Sequence, residues 1–381
     1  MGAQGDGTGG DRTLGRRLRG AAGLAALAGL AWVARDVPAA LGGRLTGARA
    51  QRAASSPRFR DGTFHNPGGA RSTAGAPDRN LVRELIFGKQ RRRPSAAVPL
   101  LRPGAAPAAD VERELNVVWY GHASALVEIE GRKVLLDPVW SDRCSPSALV
   151  GPRRLHEPPV RLDELPDLDA ILISHDHYDH LDMATVRALL TAQSAPFLVP
   201  LGVGAHLERW GVPAQRIVEL DWSESHRVAG LEITATAAQH FSGRGLRRDG
   251  TLWSSWMITG ARRKVFYTGD SGYFDGYAEI GAEHGPFDVT LVQIGAYDRA
   301  WPSIHMFPEE AVAAHLDLRG GLLVPVHWAT FNLALHDWSE PVDRIWAEAK
   351  ARDVRLAVPR PGERVVVDDP PAVDGWWQAV A

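Results

Sequence analysis

Three histidines and an aspartate with the spacing His-x-His-x-Asp-His lie within one six-residue segment, His175-Asp176-His177-Tyr178-Asp179-His180. Polar side chains at this density cannot all be satisfied inside an apolar core, because each needs a hydrogen-bond partner. Imidazole nitrogens and carboxylate oxygens suit zinc, with iron or manganese also possible. A loop can turn His175 and His177 toward one ion and Asp179 and His180 toward a second. The segment therefore predicts a metal site.

Four further candidate residues occur singly along the chain, namely Asp137, His240, Asp270 and His327. Asp270 has two carboxylate oxygens and can bridge two ions. A bridged pair, with ions about 3.5–4 Å apart, is the arrangement of two-metal hydrolases. The spacing is therefore compatible with a dinuclear hydrolytic centre.

Apolar stretches that predict β-strands precede these residues and must position them. A hairpin is predicted at Glu130-Gly131, and a helix from about Met183 to Thr191. Strand ends at one edge of a sheet converge on a shared crevice, so we expect the candidate ligands to meet there. The main predicted strands are 117–119, 125–129, 134–136, 170–173, 231–237, 264–267, 289–294 and 322–326.

The composition is that of a globular protein able to bury a large core. The chain has 381 residues, 45% of them hydrophobic and 23% charged. A net charge of −2 gives no overall positive field, and we therefore expect no nucleic-acid partner. The single cysteine, Cys144, excludes an intrachain disulfide and a zinc finger.

Residues 1–40 are predicted to form an N-terminal signal or membrane-anchor segment. Four arginines (Arg12, Arg16, Arg17 and Arg19) precede the uncharged stretch 20–34. As a helix this stretch would rise about 22 Å, short of the ~30 Å bilayer core. We expect membrane association through this segment, with a cytoplasmic or exported protein as alternatives. An Ala-rich helix packed on the domain is the other structural interpretation.

Residues 41–110 are rich in Ala, Arg, Pro and Gly and are predicted to form an extended arm. The basic run 89–93 could contact anionic lipid head groups or simply be solvated. Residues 111–381 carry all the candidate ligands and are predicted to form one hydrolase domain.

The order of the candidate ligands resembles that of the metallo-β-lactamase superfamily. Longer stretches resemble, more narrowly, the family of N-acylphosphatidylethanolamine-hydrolysing phospholipase D, over about residues 116–346. The matching stretches are 121–124 (GHAS), 136–138 (LDP), 145–147 (SPS), 173–181 (ISHDHYDHL), 219–222 (ELDW), 285–288 (GPFD), 294–297 (IGAY) and 308–311 (PEEA).

This resemblance implies an α/β protein, a four-layer αβ/βα sandwich with the metals at one edge. It implies a metal-dependent hydrolase holding two zinc ions. By position, one zinc would have three histidine ligands, the second would have an aspartate and two histidines, and one aspartate would bridge them. These ligands are His175, His177 and His240 for the first ion, Asp179, His180 and His327 for the second, and Asp270 as the bridge.

The resemblance also implies hydrolysis of a membrane phospholipid to phosphatidic acid and an N-acylethanolamine. Asp137 would sit beside the bridging water and aim it. His305 matches a histidine near the metals that could bind an oxygen of the substrate or protonate the leaving group. His122 could support the ligands from behind.

Two other functions remain open for this motif. One is a different dinuclear hydrolase, such as a lactonase, a nuclease or a small phosphodiesterase. The other is a di-iron redox protein of the same fold. The redox alternative is disfavoured, because a carboxylate would be expected where this chain has His177.

Overall fold

The structure, a computed structural model, describes residues 37–69, 83–84, 87–102 and 115–381. The predicted apolar stretch 20–34 lies outside the described residues. Within the described part of the chain, every helix is too short or too polar to cross a membrane.

The described strands and helices are numbered here in chain order. The strands are β1 Phe59–Arg60, β2 Thr63–Phe64, β3 Leu115–Gly121, β4 Ser124–Ile129, β5 Arg132–Leu136, β6 Ala170–Leu172, β7 Phe197–Pro200, β8 Ile217–Leu220, β9 Ser225–Val228, β10 Leu231–Thr236, β11 Ser255–Thr259, β12 Lys264–Tyr267, β13 Phe287–Gln293, β14 Gly320–Val326 and β15 Arg364–Val366. The helices are α1 Val37–Ala40, α2 Gly47–Ala54, α3 Met183–Ala192, α4 Gly204–Arg209, α5 Gly276–His284, α6 Pro308–Asp317 and α7 Glu340–Ala351.

Two sheets carry the fold. The first has seven strands in the order β15-β3-β4-β5-β6-β7-β8, and the second has six in the order β14-β13-β12-β11-β10-β9. The predicted hairpin joins β4 and β5, with Glu130 and Gly131 at φ 50° and 79°. Strands β5 to β8 pair in parallel, as do β12 to β14.

The main core lies between the two sheets. Alternate residues of β3 face opposite sides, as the period of two in a strand requires. Val117 and Trp119 join a cluster shared with Phe266 and Leu291 of the second sheet. Val118 instead packs on the other face, in a cluster that includes residues of α3 and α4.

Helices cover the outer face of each sheet, so the four-layer αβ/βα sandwich is confirmed. Asp182 begins α3, because its side chain accepts hydrogen bonds from the Ala184 and Thr185 amides. Pro308 opens α6, which packs on β13 and β14 and against α7. These helices bury the sheet faces that do not meet in the central core.

Five strands end at the same edge of the sandwich, and each is followed by a candidate site residue. The strands come from both sheets, so the crevice lies where two sheet edges meet. The residues that follow are Asp137 after β5, His175 after β6, His240 after β10, Asp270 after β12 and His327 after β14.

The segment 37–69, here called the N-terminal arm, lies on the sandwich beside this edge. Three successive carbonyls at α1 accept hydrogen bonds from side chains of the domain: Pro38 from Arg209, Ala39 from Trp210 and Ala40 from Arg244. Further along the arm, Arg49 and Arg52 of α2 form ion pairs with glutamates near β8.

Candidate metal centre

The loop between β6 and α3 turns its side chains into the crevice. The His180 and Leu181 amides both donate to the His177 carbonyl, at 3.1 and 2.8 Å, which closes a tight turn. His175 and His180 are fully buried, whereas His177 and Asp179 are partly exposed. The turn thus brings four potential metal ligands, all from one six-residue segment, into the same crevice.

The first set of donors is made of three histidines. His177 Nδ1 lies 2.8 Å from His175 Nε2 and 3.3 Å from His240 Nε2. His240 Nδ1 donates to the Ile304 carbonyl at 3.0 Å, because a carbonyl can only accept. In the neutral ring this leaves a lone pair on His240 Nε2, which points into the crevice.

The second set contains Asp179, His180 and His327. Asp179 Oδ2 lies 3.5 Å from His180 Nε2 and 3.2 Å from His327 Nε2. His122 joins the set, with its Nε2 2.9 Å from the same oxygen. The structure thereby places His122 within ligand distance, closer than the supporting position expected from the sequence.

Asp270 lies between the two sets. Its Oδ2 atom is 3.1 Å from both His180 Nε2 and His327 Nε2. The same oxygen is 3.9 Å from His175 Nε2 and 3.8 Å from His240 Nε2. This position between two donor sets is the one that a bridging carboxylate requires.

Asp137 lies behind His180, which differs from the expected position beside the bridging water. Its Oδ1 accepts from the Ser174 amide at 2.6 Å. Its Oδ2 accepts from the Ser174 hydroxyl, from the Tyr267 hydroxyl and from His180 Nδ1 at 2.7 Å. Four donors therefore occupy this carboxylate, and the His180 ring separates it from Asp270.

His305 lies at the open side of the centre. Its Nδ1 is 3.8 Å from Asp270 Oδ2, and its ring centroid is 5.2 Å from those of His240 and His327. Burial lowers its pKa to about 3, so the ring is neutral near pH 7. A neutral imidazole can donate one hydrogen bond to an oxygen held at the centre.

Strained backbone accompanies the site. His122, Asp137 and His327 all have left-handed φ angles, of 51°, 36° and 65°. Such conformations cost energy for residues with a side chain and collect at functional sites. The fold supports two of them directly, because the His327 amide donates to the His122 carbonyl at 2.8 Å.

The carboxylates at the centre are ionised, and the three histidines of the first set are neutral. His180 differs from them: burial lowers its pKa, but Asp270 and Asp179 outweigh burial and raise that pKa well above its usual value. Burial alone would raise the pKa of Asp270, but His180, His327 and His305 outweigh it and hold that pKa well below its usual range. Burial is the main cause that lowers the pKa of His175 and His240 well below the usual value. Neutral imidazoles beside anionic carboxylates are the protonation states that metal ligands need.

Several polar atoms at the centre fit a bound cation. His180 Nε2, His305 Nδ1 and Asp270 Oδ1 are buried and have no hydrogen-bond partner. Leaving such atoms unsatisfied is costly, and metal coordination would satisfy the imidazole nitrogen and the carboxylate oxygen. Burial would lower the pKa of His327, but Asp270 and Asp179 raise it to about 9, and a cation would displace that proton.

Among the described residues, the potential ligand atoms form four overlapping sets, each of which could hold an ion. Within each set, these nitrogen and oxygen atoms all lie within 4.8 Å of one another. All seven ligands expected from the sequence occur in these sets, and His122 and His305 join them. The signal for His122 was its place directly after a strand, beside Gly121. The sets are His175-His177-His240, His175-His180-Asp270, His122-Asp179-His180-His327 and His240-Asp270-His305.

A family model and two relatives match this chain. The model described as "Beta-lactamase superfamily domain" matches residues 132–328. An uncharacterized protein of Mycobacterium tuberculosis is 52% identical over 371 residues, covering 95% of this chain and 99% of that protein. N-acyl-phosphatidylethanolamine-hydrolyzing phospholipase D 1 of Caenorhabditis elegans is 38% identical over 255 residues, covering 64% of this chain and 72% of that protein.

A solved structure has the same fold. The isothiocyanate hydrolase from Delia radicum gut bacteria aligns with a TM-score of 0.53 and 20% identity, covering 66% of this chain and 98% of that one. The family match, the relatives and the clustered ligands show a metal-dependent hydrolase. The chain belongs to the metallo-β-lactamase superfamily and, within it, to the family of N-acylphosphatidylethanolamine-hydrolysing phospholipase D-like proteins.

Proposed function

We propose that this hydrolase is a dinuclear zinc phosphodiesterase of the phospholipase D type. It hydrolyses N-acylphosphatidylethanolamine-like lipids to phosphatidic acid and an N-acylethanolamine. The observation that carries the proposal is the position of Asp270, whose Oδ2 lies within 3.9 Å of histidines from both donor sets. The relative from C. elegans, named for this activity, supports the choice of substrate.

Different residues of the site would bind the two ions and the phosphate. His175, His177 and His240 would hold one zinc, and the second would be held by Asp179, His180 and His327, with Asp270 shared. When bound, a zinc pair lowers the pKa of a shared water and offsets negative charge on phosphoryl oxygens. Hydrogen bonds from His180 Nδ1 to Asp137 and from His240 Nδ1 to the Ile304 carbonyl hold two of these ligands in place before substrate arrives.

His305 and Asp137 act on either side of this ligand cage. His305 donates a hydrogen bond to an oxygen of the phosphate or of the leaving group, since it faces Asp270 and its Nδ1 has no other partner. Asp137 accepts the Nδ1 proton of His180 and so keeps the opposite nitrogen of that ring available to metal. Asp137 is therefore a positioning residue in this mechanism.

An exposed loop beside the centre supports a lipid surface as the partner. Leu246 is fully exposed, and the neighbouring Arg247 and Arg248 are exposed as well. The loop is tied to the centre, because Arg248 lies 3.9 Å over the ring of Phe241, which contacts His177 at 4.4 Å. An apolar tip flanked by cations suits insertion into an anionic membrane surface.

Another dinuclear hydrolase, a lactonase or a small phosphodiesterase, is the second candidate. The donor sets alone do not select a substrate, and lactones and small phosphodiesters use the same ligand chemistry. A di-iron redox role is disfavoured by the three histidines His175, His177 and His240, which leave the first set without a carboxylate of its own.

A substrate panel tests the proposal. The full chain, loaded with zinc, is incubated with N-acylphosphatidylethanolamine in mixed micelles, with a lactone and with a small phosphodiester. His175→Ala serves as the blank, and products are identified by mass spectrometry. We expect phosphatidic acid and N-acylethanolamine from the wild type alone. Turnover of only the lactone or the small phosphodiester would favour the second candidate.

A further inference from the structure

The N-terminal arm reaches the metal centre through one side chain, Asn66, which follows β2. Asn66 Nδ2 donates to the His240 carbonyl at 2.9 Å, and its Oδ1 accepts from the His240 amide at 2.9 Å. The side chain is buried, with 4% of its surface exposed. One amide group therefore binds both polar groups of the His240 backbone.

The orientation of this amide is fixed. The His240 N–H can only donate and its C=O can only accept, so a flipped amide would break both bonds. The Trp253 Nε1 atom also donates to Asn66 Oδ1, at 3.0 Å, and to the Ala238 carbonyl at 3.0 Å. Trp253, Ala238 and Phe64 of the arm form a buried apolar cluster around these bonds.

His240 needs this support because it lies outside the sheet. Strand β10 ends at Thr236, so the hydrogen-bond ladder of the sheet stops before His240. Its side chain is held separately, by the bond from Nδ1 to the Ile304 carbonyl. Because both the backbone and the ring are held, His240 Nε2 can point only toward His177 and Asp270.

We propose that Asn66 is a positioning residue for the metal ligand His240, supplied by a segment outside the residues that the family model matches. The matched domain spans residues 132–328, so the arm completes a site that the domain alone leaves less rigid. The inference rests on the proposed metal site, in which His240 holds the first ion. Residues that orient a metal ligand from behind typically contribute about 10–100-fold to metal affinity.

The test compares metal binding by the full-length wild type with binding by Asn66→Ala. Zinc affinity is measured by competition with a chromophoric chelator, and cobalt is used as a spectroscopic probe of the ligand geometry. We expect about 10-fold weaker binding of one of two ions in the variant, with a changed cobalt absorption band. Arg52→Ala is the matched control, because it removes an arm-to-domain ion pair far in sequence from any ligand, and we expect wild-type binding.

A second variant keeps the proposal testable if Asn66→Ala does not fold. Trp253→Phe removes one donor to Asn66 Oδ1 and should shift the cobalt band and weaken one ion to a smaller extent. Wild-type affinity and an unchanged band in the folded variants would overturn the proposal, even if their unfolding temperature fell. A wild type that binds neither zinc nor cobalt would instead contradict the metal site itself.

Discussion

His180 Nδ1 lies 2.7 Å from Asp137 Oδ2, while Nε2 of the same ring lies 3.1 Å from Asp270 Oδ2. One imidazole thus connects a carboxylate behind the ring with the carboxylate that lies between the two sets of ligands. The Ser174 and Tyr267 hydroxyls hold the rear carboxylate in place. The proton on His180 Nδ1 is therefore fixed by the fold, and the metal-facing nitrogen follows from it.

Replacing Asp137 by Asn should weaken metal binding without removing a ligand. The amide is a poorer acceptor for the His180 Nδ1 proton, so we expect about 10–100-fold lower zinc affinity. Chelator competition on the purified variant measures the change. Tyr267→Phe is the milder companion, since it removes one of four donors to Asp137. Equal zinc affinity in wild type and Asp137→Asn would show that this carboxylate has another role.

Replacing Asp270 by Asn should reduce both metal content and turnover. The amide supplies one neutral oxygen in place of two anionic ones, so it cannot bridge two cations. We expect at least about 100-fold loss of activity, exceeding the typical cost of losing a supporting residue. Metal content by elemental mass spectrometry gives an independent readout. A variant that kept both ions and full activity would exclude the bridging role.

His315 should make folding stability fall in mild acid. Burial lowers its pKa to about 4, against about 6.5 in the unfolded chain. The unfolded state therefore binds the proton more tightly, so this contribution is complete above pH 6.5 and is lost as the pH falls toward 4. Between pH 7 and pH 5 the loss from this one group is about 2 kcal/mol.

Urea unfolding of wild type and His315→Gln at pH 7 and at pH 5 measures the contribution of His315 to the unfolding free energy, because the other histidines titrate alike in the two proteins. We expect the wild type to lose more unfolding free energy than the variant. Equal losses would mean that His315 is solvated or protonated in the folded state, contrary to its burial beside Thr290.

Leu246→Asp combined with Arg247→Glu should reduce binding to anionic vesicles. The change removes an apolar tip and reverses a charge, so we expect at least a 10-fold weaker partition. Turnover of a water-soluble phosphodiester should stay unchanged, since neither side chain belongs to the ligand sets. Leu316→Asp on α6 alters another exposed leucine and is the control. If the double variant sediments with vesicles as well as the wild type does, this loop does not form the membrane contact.

The sequence predicted the strands that precede ligands because each is an apolar run that stops at a polar residue. The predicted Lys264–Tyr267 strand has the observed bounds, and the helix predicted to end at Thr191 ends one residue later, at Ala192. The strands that were not predicted are β1, β2, β7, β8, β9, β11 and β15. A short apolar run such as β7 cannot be told from a buried helical segment by periodicity alone.

The candidate site was predictable in its ligand types but less so in its arrangement. His175 and Asp270 stand out in a linear pattern, whereas the position of Asp137 depends on Ser174 and Tyr267, which only the folded chain brings together. Asn66 had no signal at all. It lies 174 residues from His240, in a segment whose composition is that of a linker.

The central claim is hydrolysis of a phosphodiester by water attacking phosphorus, and one isotope experiment tests it most directly. The zinc-loaded full chain is given N-acylphosphatidylethanolamine in ¹⁸O-labelled water, and both products are analysed by mass spectrometry. Breaking the bond between phosphorus and the ethanolamine oxygen predicts one ¹⁸O in the phosphate of phosphatidic acid and none in the N-acylethanolamine. Label in the alcohol, or no product from a protein that holds two zinc ions, would contradict the account.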